Sequence, residues 1–303
     1  MVLTSLFGCA APLVDNPQGR ADFATRCADP DVIRCFGFEN EELSGNGGPI
    51  AWGHYDAAAG TFVNGMSPSE DLTGRVEIAV DQQASGESSL KFYMPSQTGA
   101  GHAGQFYAAF SDDNSQQFGE GDKFYIQWRQ RFSSGFLCND FRPRRNWKQA
   151  IIGEGNSAGK TAGSCTQLEL VVNQDDYGGP AMYHSCGGKD GRYEPINQGW
   201  SIAYQADEWM TFQLAVQIGT WYQNDRRYRY DSLIELWVAR DGEPSRRLIS
   251  HKYDLANNNP QARYGKVWLT PYLSNKDASQ VHPDAYTWYD ELIISRAPIA
   301  DPL

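Results

Sequence analysis

Residues 124–132 read Phe124-Tyr125-Ile126-Gln127-Trp128-Arg129-Gln130-Arg131-Phe132, and they alternate. With a period of two, Phe124, Ile126, Trp128 and Phe132 fall on one side, while Tyr125, Gln127, Arg129 and Arg131 fall on the other. This is the signature of a strand with one face in a core and the other built of hydrogen-bonding groups. The division recurs outward in both directions. Leu168, Leu170 and Val172 oppose Gln167, Glu169 and Asn173, and Phe212, Leu214, Val216 and Ile218 oppose Gln213 and Gln217. Further strand candidates are residues 75–80, 89–94, 104–110, 233–238, 266–272 and 287–295, separated by Gly, Asn, Asp and Ser clusters with little helical periodicity. A run of strands without intervening helices predicts an all-β, antiparallel two-sheet sandwich. No Pro- or Ser-rich linker divides it, so the reading is an irregular segment over 1–35 followed by one domain over 36–303.

Composition narrows the function. The 303 residues are 41% hydrophobic and 21% charged, enough apolar content to bury a core, and the formal net charge is −11. An acidic surface disfavours nucleic acid, whose phosphates select basic partners. No window reaches the roughly 18 uninterrupted apolar residues of a membrane helix. Leu6-Phe7-Gly8-Cys9-Ala10 resembles the lipid-attachment segment of bacterial lipoproteins, which implies export to the periplasm, cell surface or medium and a lipid anchor at Cys9. Six cysteines agree with an oxidising compartment. Cys27 and Cys35 are spaced for a local clip. Cys165 and Cys186 flank the turn-like residues 175–180 and would bridge paired strands, with Cys138 able to replace either. A zinc site is not expected, because the chain contains neither CxxC nor HExxH.

Three segments carry a resemblance to a known superfamily. They are Phe36-Gly37-Phe38-Glu39 with residues 80–92, then Asp207-Glu208-Trp209-Met210-Thr211-Phe212 with Ile234-Glu235-Leu236-Trp237-Val238, and finally residues 286–295. Together they resemble the concanavalin A-like jelly-roll superfamily of lectins, glucanases and polysaccharide lyases, including alginate, glucuronan and heparin lyases. The resemblance implies a jelly roll and, between its opening and closing strands, a structural Ca2+ held by Glu39 and Asp290 with backbone carbonyls. Fold alone does not assign activity.

The chemistry must come from the side chains. Retaining glucanases place two carboxylates about 5 Å apart, and laminarinase-type enzymes carry them as Glu-x-Asp-x-x-Glu. That motif is absent here, leaving Glu169 and Glu235 from separate strands as the hydrolytic alternative. A lyase instead needs donors that neutralise a uronate carboxylate and a group that moves a proton. Residues 268–274 resemble the alginate-lyase strand carrying a proton-transferring Tyr, here Tyr272, although Trp268 and Ser274 stand where that family has Lys and Gln. The expected catalytic set is therefore Tyr272 for proton transfer, His184 as base or orienter, and Arg129 and Gln149 for neutralisation, with Asn173 joining them. Gln127, Arg131, Lys148, Glu169, Asn173 and Trp237 are expected to contact substrate. The basic run Arg142–Lys148 would recruit an anionic polymer at a groove rim. His102 lies in the Gly-rich stretch 98–104, which lacks a phosphate-loop pattern. A monomeric, non-catalytic glycan-binding or adhesion protein is the rival from another class, with Trp128, Trp147, Trp237, Trp268 and Tyr272 stacking on sugars. Convergence of Tyr272, His184 and Arg129 in one groove would separate the two, and scattered positions would count against a lyase built on those three.

Overall fold

The structure is a computed structural model that describes residues 16–39, 54–56, 61–63, 65–67, 75–139, 141, 147–154, 169–174, 179–184, 204–221, 230–255 and 262–303. The chain opens with helix α1 (Pro17–Cys27) and strands β1 (Val32–Phe36), β2 (His54–Asp56), β3 (Thr61–Val63), β4 (Gly65–Ser67) and β5 (Val76–Ala79). It continues with β6 (Ser89–Met94), β7 (Gln105–Ala109), β8 (Lys123–Phe132), a one-turn helix α2 (Ser134–Leu137), β9 (Lys148–Glu154), β10 (Glu169–Gln174) and β11 (Pro180–His184). The last strands are β12 (Trp209–Gln217), β13 (Ser232–Arg240), β14 (Arg246–Tyr253), β15 (Tyr264–Leu269) and β16 (Ala285–Ser295).

An eight-stranded sheet runs β14-β13-β12-β8-β16-β6-β5, with β1 also on β16, and packs against a six-stranded sheet ordered β11-β10-β9-β15-β7-β4. The pairings within both are antiparallel, so the chain is a jelly-roll sandwich. The residues that alternate inward in the sequence are those that fill it: Phe124, Ile126, Trp128 and Phe132 of β8 meet Ala150 and Ile152 of β9, Leu170 and Val172 of β10 and Val267 of β15 in one cluster. Burying such side chains contributes about 1.5–3 kcal/mol each. Residues 175–178 connect β10 to β11, whose register begins at Gln174 opposite Pro180. The strands on either side of residues 175–178 therefore pair, as the cysteine symmetry requires, although Cys165 and Cys186 lie outside the described residues. Strands β1 to β4, β9, β11 and β14 are not among those expected from the sequence.

The N-terminal region departs most from expectation. Residues 17–27 form a helix, capped by Asn16, whose side chain accepts from Gly19 N at 2.9 Å, and started by Pro17 at its first position. The expected boundary at residue 36 falls inside β1, which pairs with the C-terminal half of β16. The Cys27–Cys35 disulfide is present and ties the end of α1 to β1. Closing so short a loop contributes about 2–3 kcal/mol in the chain-entropy account. Cys138 is an exposed free thiol. Among the described residues no helix is long and apolar enough to cross a membrane. Cys9 and its flanking segment lie outside the described residues.

Candidate functional site

The polar face of the eight-stranded sheet is where the alternation placed a substrate groove. The structure covers much of it with the two ends of the chain. Phe23 and Cys27 of α1, together with Ile299, pack over Tyr125, Ala215 and Ile293 as a second apolar cluster. Arg26 reaches through this layer, its guanidinium donating to Gln127 Oε1 at 2.9 Å, to Asp22 at 2.9 Å and to Glu291. Gln127 Nε2 in turn donates to Ala300 O at 3.1 Å, and Gln213 exchanges two hydrogen bonds with the backbone of Ile299. Gln127 is thus fully committed between helix and tail.

Beside this cap, the cations of the same face are matched by acids. Arg129 pairs with Asp241 and lies over the Trp209 ring. Arg131 is half-buried, and desolvation lowers its pKa against the opposing pull of Asp207, Asp241 and Glu208. Trp237 carries Arg247 over its ring, and Arg247 donates to Glu235 at 2.7 Å. Gln127, Arg129, Arg131 and Trp237 therefore sit on the sheet opposite the one that carries Tyr272, which corrects their expected place in one groove. The hydrolytic alternative fails on the same ground. Glu235 points outward from β13 of the eight-stranded sheet, whereas Glu169 opens β10 of the six-stranded one, its side chain outside the described residues. Two carboxylates on opposite layers of a sandwich cannot flank one glycosidic bond.

Two other expected site residues turn inward. Between β9 and β10, Val172 opposes Ala150 and Asn173 opposes Lys148, so Gln149 is the extra residue of a bulge. The bulge directs its side chain between the sheets, where it donates to Gln130 at 3.0 Å and accepts from the Tyr204 hydroxyl at 2.7 Å at 0% exposure. His184 is in register with core-facing Leu170, is 1% exposed and packs 6.3 Å from Tyr253, whose hydroxyl accepts from its backbone N–H. Gln149 and His184 are core polar groups, not members of an open site, and with Arg129 on the other sheet the expected convergence of Tyr272, His184 and Arg129 does not occur; proton transfer at Tyr272 would have to work with Lys148 in their place.

What the fold does bring together lies at one end of the outer face of the six-stranded sheet. Lys148 and Asn173 face each other in register on β9 and β10, Asn173 being 1% exposed with its amide donating to Gln174 O at 2.9 Å. Lys148 N donates to Tyr272 O at 2.9 Å, and Lys148 Nζ stands 4.9 Å from the centroid of the Tyr272 ring. Both side chains are partly exposed. The bridge between Trp147 and Leu273 sets this approach, because both residues are anchored in the core on either side of the pair. Trp268 stacks on Tyr107 at 5.3 Å farther along the face, and Ile151, Val171 and Tyr183 continue an apolar floor. Residues 142–146 of the basic run lie outside the described residues, while Trp147 is buried in the core.

The two residues expected to hold Ca2+ both hold one loop. Glu39 accepts from Glu87 N at 2.9 Å and Ser88 Oγ at 3.1 Å, and Asp290 accepts from Ala84 N at 2.8 Å and Ser85 N at 3.2 Å. Burial, with Glu291 adjacent, raises the Asp290 carboxyl well above the ordinary carboxylate range. As arranged, both carboxylates accept hydrogen bonds from residues 84–88.

No protein-family model matches the chain, and no curated protein does. Solved structures do. A PL-14 alginate lyase from Aplysia kurodai is 14% identical, with 73% of this chain and 86% of that one covered and a TM-score of 0.54. An endo-β-1,4-glucuronan lyase from the fungus Trichoderma reesei is 14% identical over 77% and 92% of the two chains, with a TM-score of 0.49. The alginate lyase vAL-1 from Chlorella virus is 15% identical over 73% and 90%, also at 0.49. The likeness is one of fold: the chain is a jelly-roll sandwich, as the Aplysia structure is.

Proposed function

We propose that this protein is an exported polysaccharide lyase that cleaves an acidic, uronate-containing chain by β-elimination at the Lys148–Tyr272 end of the six-stranded sheet. The observation that carries the reading is the ammonium of Lys148 held 4.9 Å over the Tyr272 ring, with Asn173 across the strand from it. The Lys148 ammonium suits a carboxylate, since it donates charge-assisted hydrogen bonds, while Asn173, 1% exposed and donating to Gln174 O at 2.9 Å, backs it from the neighbouring strand. With its carboxylate paired to Lys148, a uronate loses its C5 proton more readily, because the developing charge is stabilised. The Tyr272 hydroxyl gives its proton to the departing O4 and receives the one from C5. The C4–O4 bond breaks, a C4=C5 bond forms, and the phenol is restored. Trp268, partly exposed on the stacked Tyr107, would support a sugar ring farther along the face. That same pair favours the second reading, glycan binding without catalysis.

The test is a panel of alginate, glucuronan, pectate, ulvan and glycosaminoglycans, followed by the ultraviolet absorbance of the new C4=C5 bond. Tyr272→Phe should lower kcat by about a hundredfold or more, and Lys148→Met by about 10²–10³. Polymer retention with no new absorbance would move the protein to the binding class. Absorbance that survives Tyr272→Phe unchanged would displace Tyr272 from the mechanism.

A further inference from the structure

The Gly-rich stretch Thr98-Gly99-Ala100-Gly101-His102-Ala103-Gly104 is not accounted for by the reading above. In the structure it runs antiparallel to the segment that carries Tyr272 and is joined to it without forming a strand. Five links follow in order: Ser96 Oγ accepts from His282 N at 3.1 Å, Gln97 N donates to Gln280 O at 2.9 Å, and Thr98 O accepts from Lys276 Nζ at 2.5 Å. Ala100 O then accepts from Leu273 N at 3.1 Å, and Gly104 O accepts from Thr270 Oγ1 at 3.4 Å. Gly101 faces the aromatic ring with room for a methyl between them, since a Cβ on it would stand in ordinary contact, 3.6 Å from Tyr272 Cε2. The ring therefore has two neighbours, the Lys148 ammonium 4.9 Å from its centroid and the Gly101 position of the Gly loop.

Lys276 is the long side chain among these links. It follows the tight turn in which its own N–H donates to Leu273 O at 3.1 Å and Asn275 adopts a φ of 59°. Its side chain then runs inward and is 6% exposed as a residue. Desolvation lowers the pKa of this ammonium, partly offset by Asp277. Burying a Lys is costly, and a surface loop has no need of it to remain soluble. Here the ammonium fixes the distance between the Gly loop and the Tyr272 segment.

We infer that Lys276 is a positioning residue: by clamping Thr98 O it holds the Gly loop, with Gly101 facing the Tyr272 ring, in register with the Tyr272 segment and so sets the phenol's place beside Lys148. Its bearing on catalysis rests on the proposed function, but the clamp itself does not. The experiment uses protein labelled with 3-fluorotyrosine, in which Tyr272→Phe assigns the Tyr272 fluorine resonance. Lys276→Met, which keeps the stem and removes the donor, should shift or broaden that resonance. Lys276→Arg should restore it in part, and Gly101→Ala should move it from the other side with the clamp intact. With an active glycan, Lys276→Met should lower kcat about tenfold to a hundredfold while KM stays within twofold, as a misplaced reacting group does. An unmoved resonance in a folded Lys276→Met protein overturns the inference. A wild type inactive on every glycan, with the resonance shift present, would refute the lyase reading and leave the clamp standing.

Discussion

Arg26→Met should be among the most damaging single substitutions outside the sandwich core. Arg26 and Glu291 are 4% and 1% exposed at their side chains, so the pair is buried and not the screened surface kind worth less than 1 kcal/mol. Glu291 is held there by backbone geometry. It has a φ of 49°, at the register break between Asp290 and Ile293 on β16, and this bulge turns both acids to the outer face. Removing the guanidinium strands the carboxylate of Glu291 and also takes a donor from Asp22 and one from Gln127. Breaking a buried pair from one side costs about 3–5 kcal/mol. Met is almost as good a helix former as Arg, so little of the loss would come from α1 itself. Unfolding entropy of roughly 2.1 cal/mol/K per residue gives about 0.6 kcal/mol/K for 303 residues, hence a fall in Tm of about 5–8 °C. Thermal and urea denaturation of Arg26→Met, Glu291→Gln and the double variant would measure it. The double variant should lose clearly less than the sum of the singles, because neither charge is then left alone. A loss near 1 kcal/mol for Arg26→Met, or strict additivity, would refute a buried, coupled cluster beneath α1.

Gly86 has a φ of 68°, and a Cβ there would lie 1.6 Å from Glu39 Oε1, so Gly86→Ala should destabilise by more than about 1 kcal/mol and release the Glu39 contact to the loop, read by urea denaturation. Asp290 has a carboxyl pKa raised above its usual value by burial. A raised folded value contributes stability that is complete below about 4 and is lost as pH rises through the folded pKa. Asp290→Asn should therefore flatten the decline in stability between acid and neutral pH, measured as denaturant midpoints across that range.

Much of the sandwich was legible because its signal is local. A period of two in β8, β10 and β12 assigns each side chain to a face, and the inward sets are those found in the core. The strands that escaped lack such alternation. β9 has its bulge at Gln149 just before the apolar run Ala150-Ile151-Ile152, and β14 carries Arg246, Arg247 and Lys252 among its eight residues. Helix α1 had a readable start in Asn16-Pro17 and an i,i+4 pair in Asp22 and Arg26, signals eclipsed by the lipoprotein-like segment just before them. In the candidate site, Tyr272, Lys148 and Asn173 were named from the sequence, and so were residues the fold keeps apart from them.

The reason lies in what alternation can and cannot encode. The sequence by itself settled that Gln127, Arg129 and Arg131 share one outward face and that Leu170 and Val172 share an inward one, since neighbouring residues in an extended chain must point oppositely. It could not determine which sheet would be covered. That was decided when α1 and residues 299–300 returned to β8 and placed Arg26 on Gln127, 101 residues away in sequence, and on Glu291, 265 residues away. Nor could it show that one bulge would turn Gln149 into the core while leaving Lys148 beside Tyr272. These outcomes depend on contacts between distant segments, which only the closed sandwich brings together.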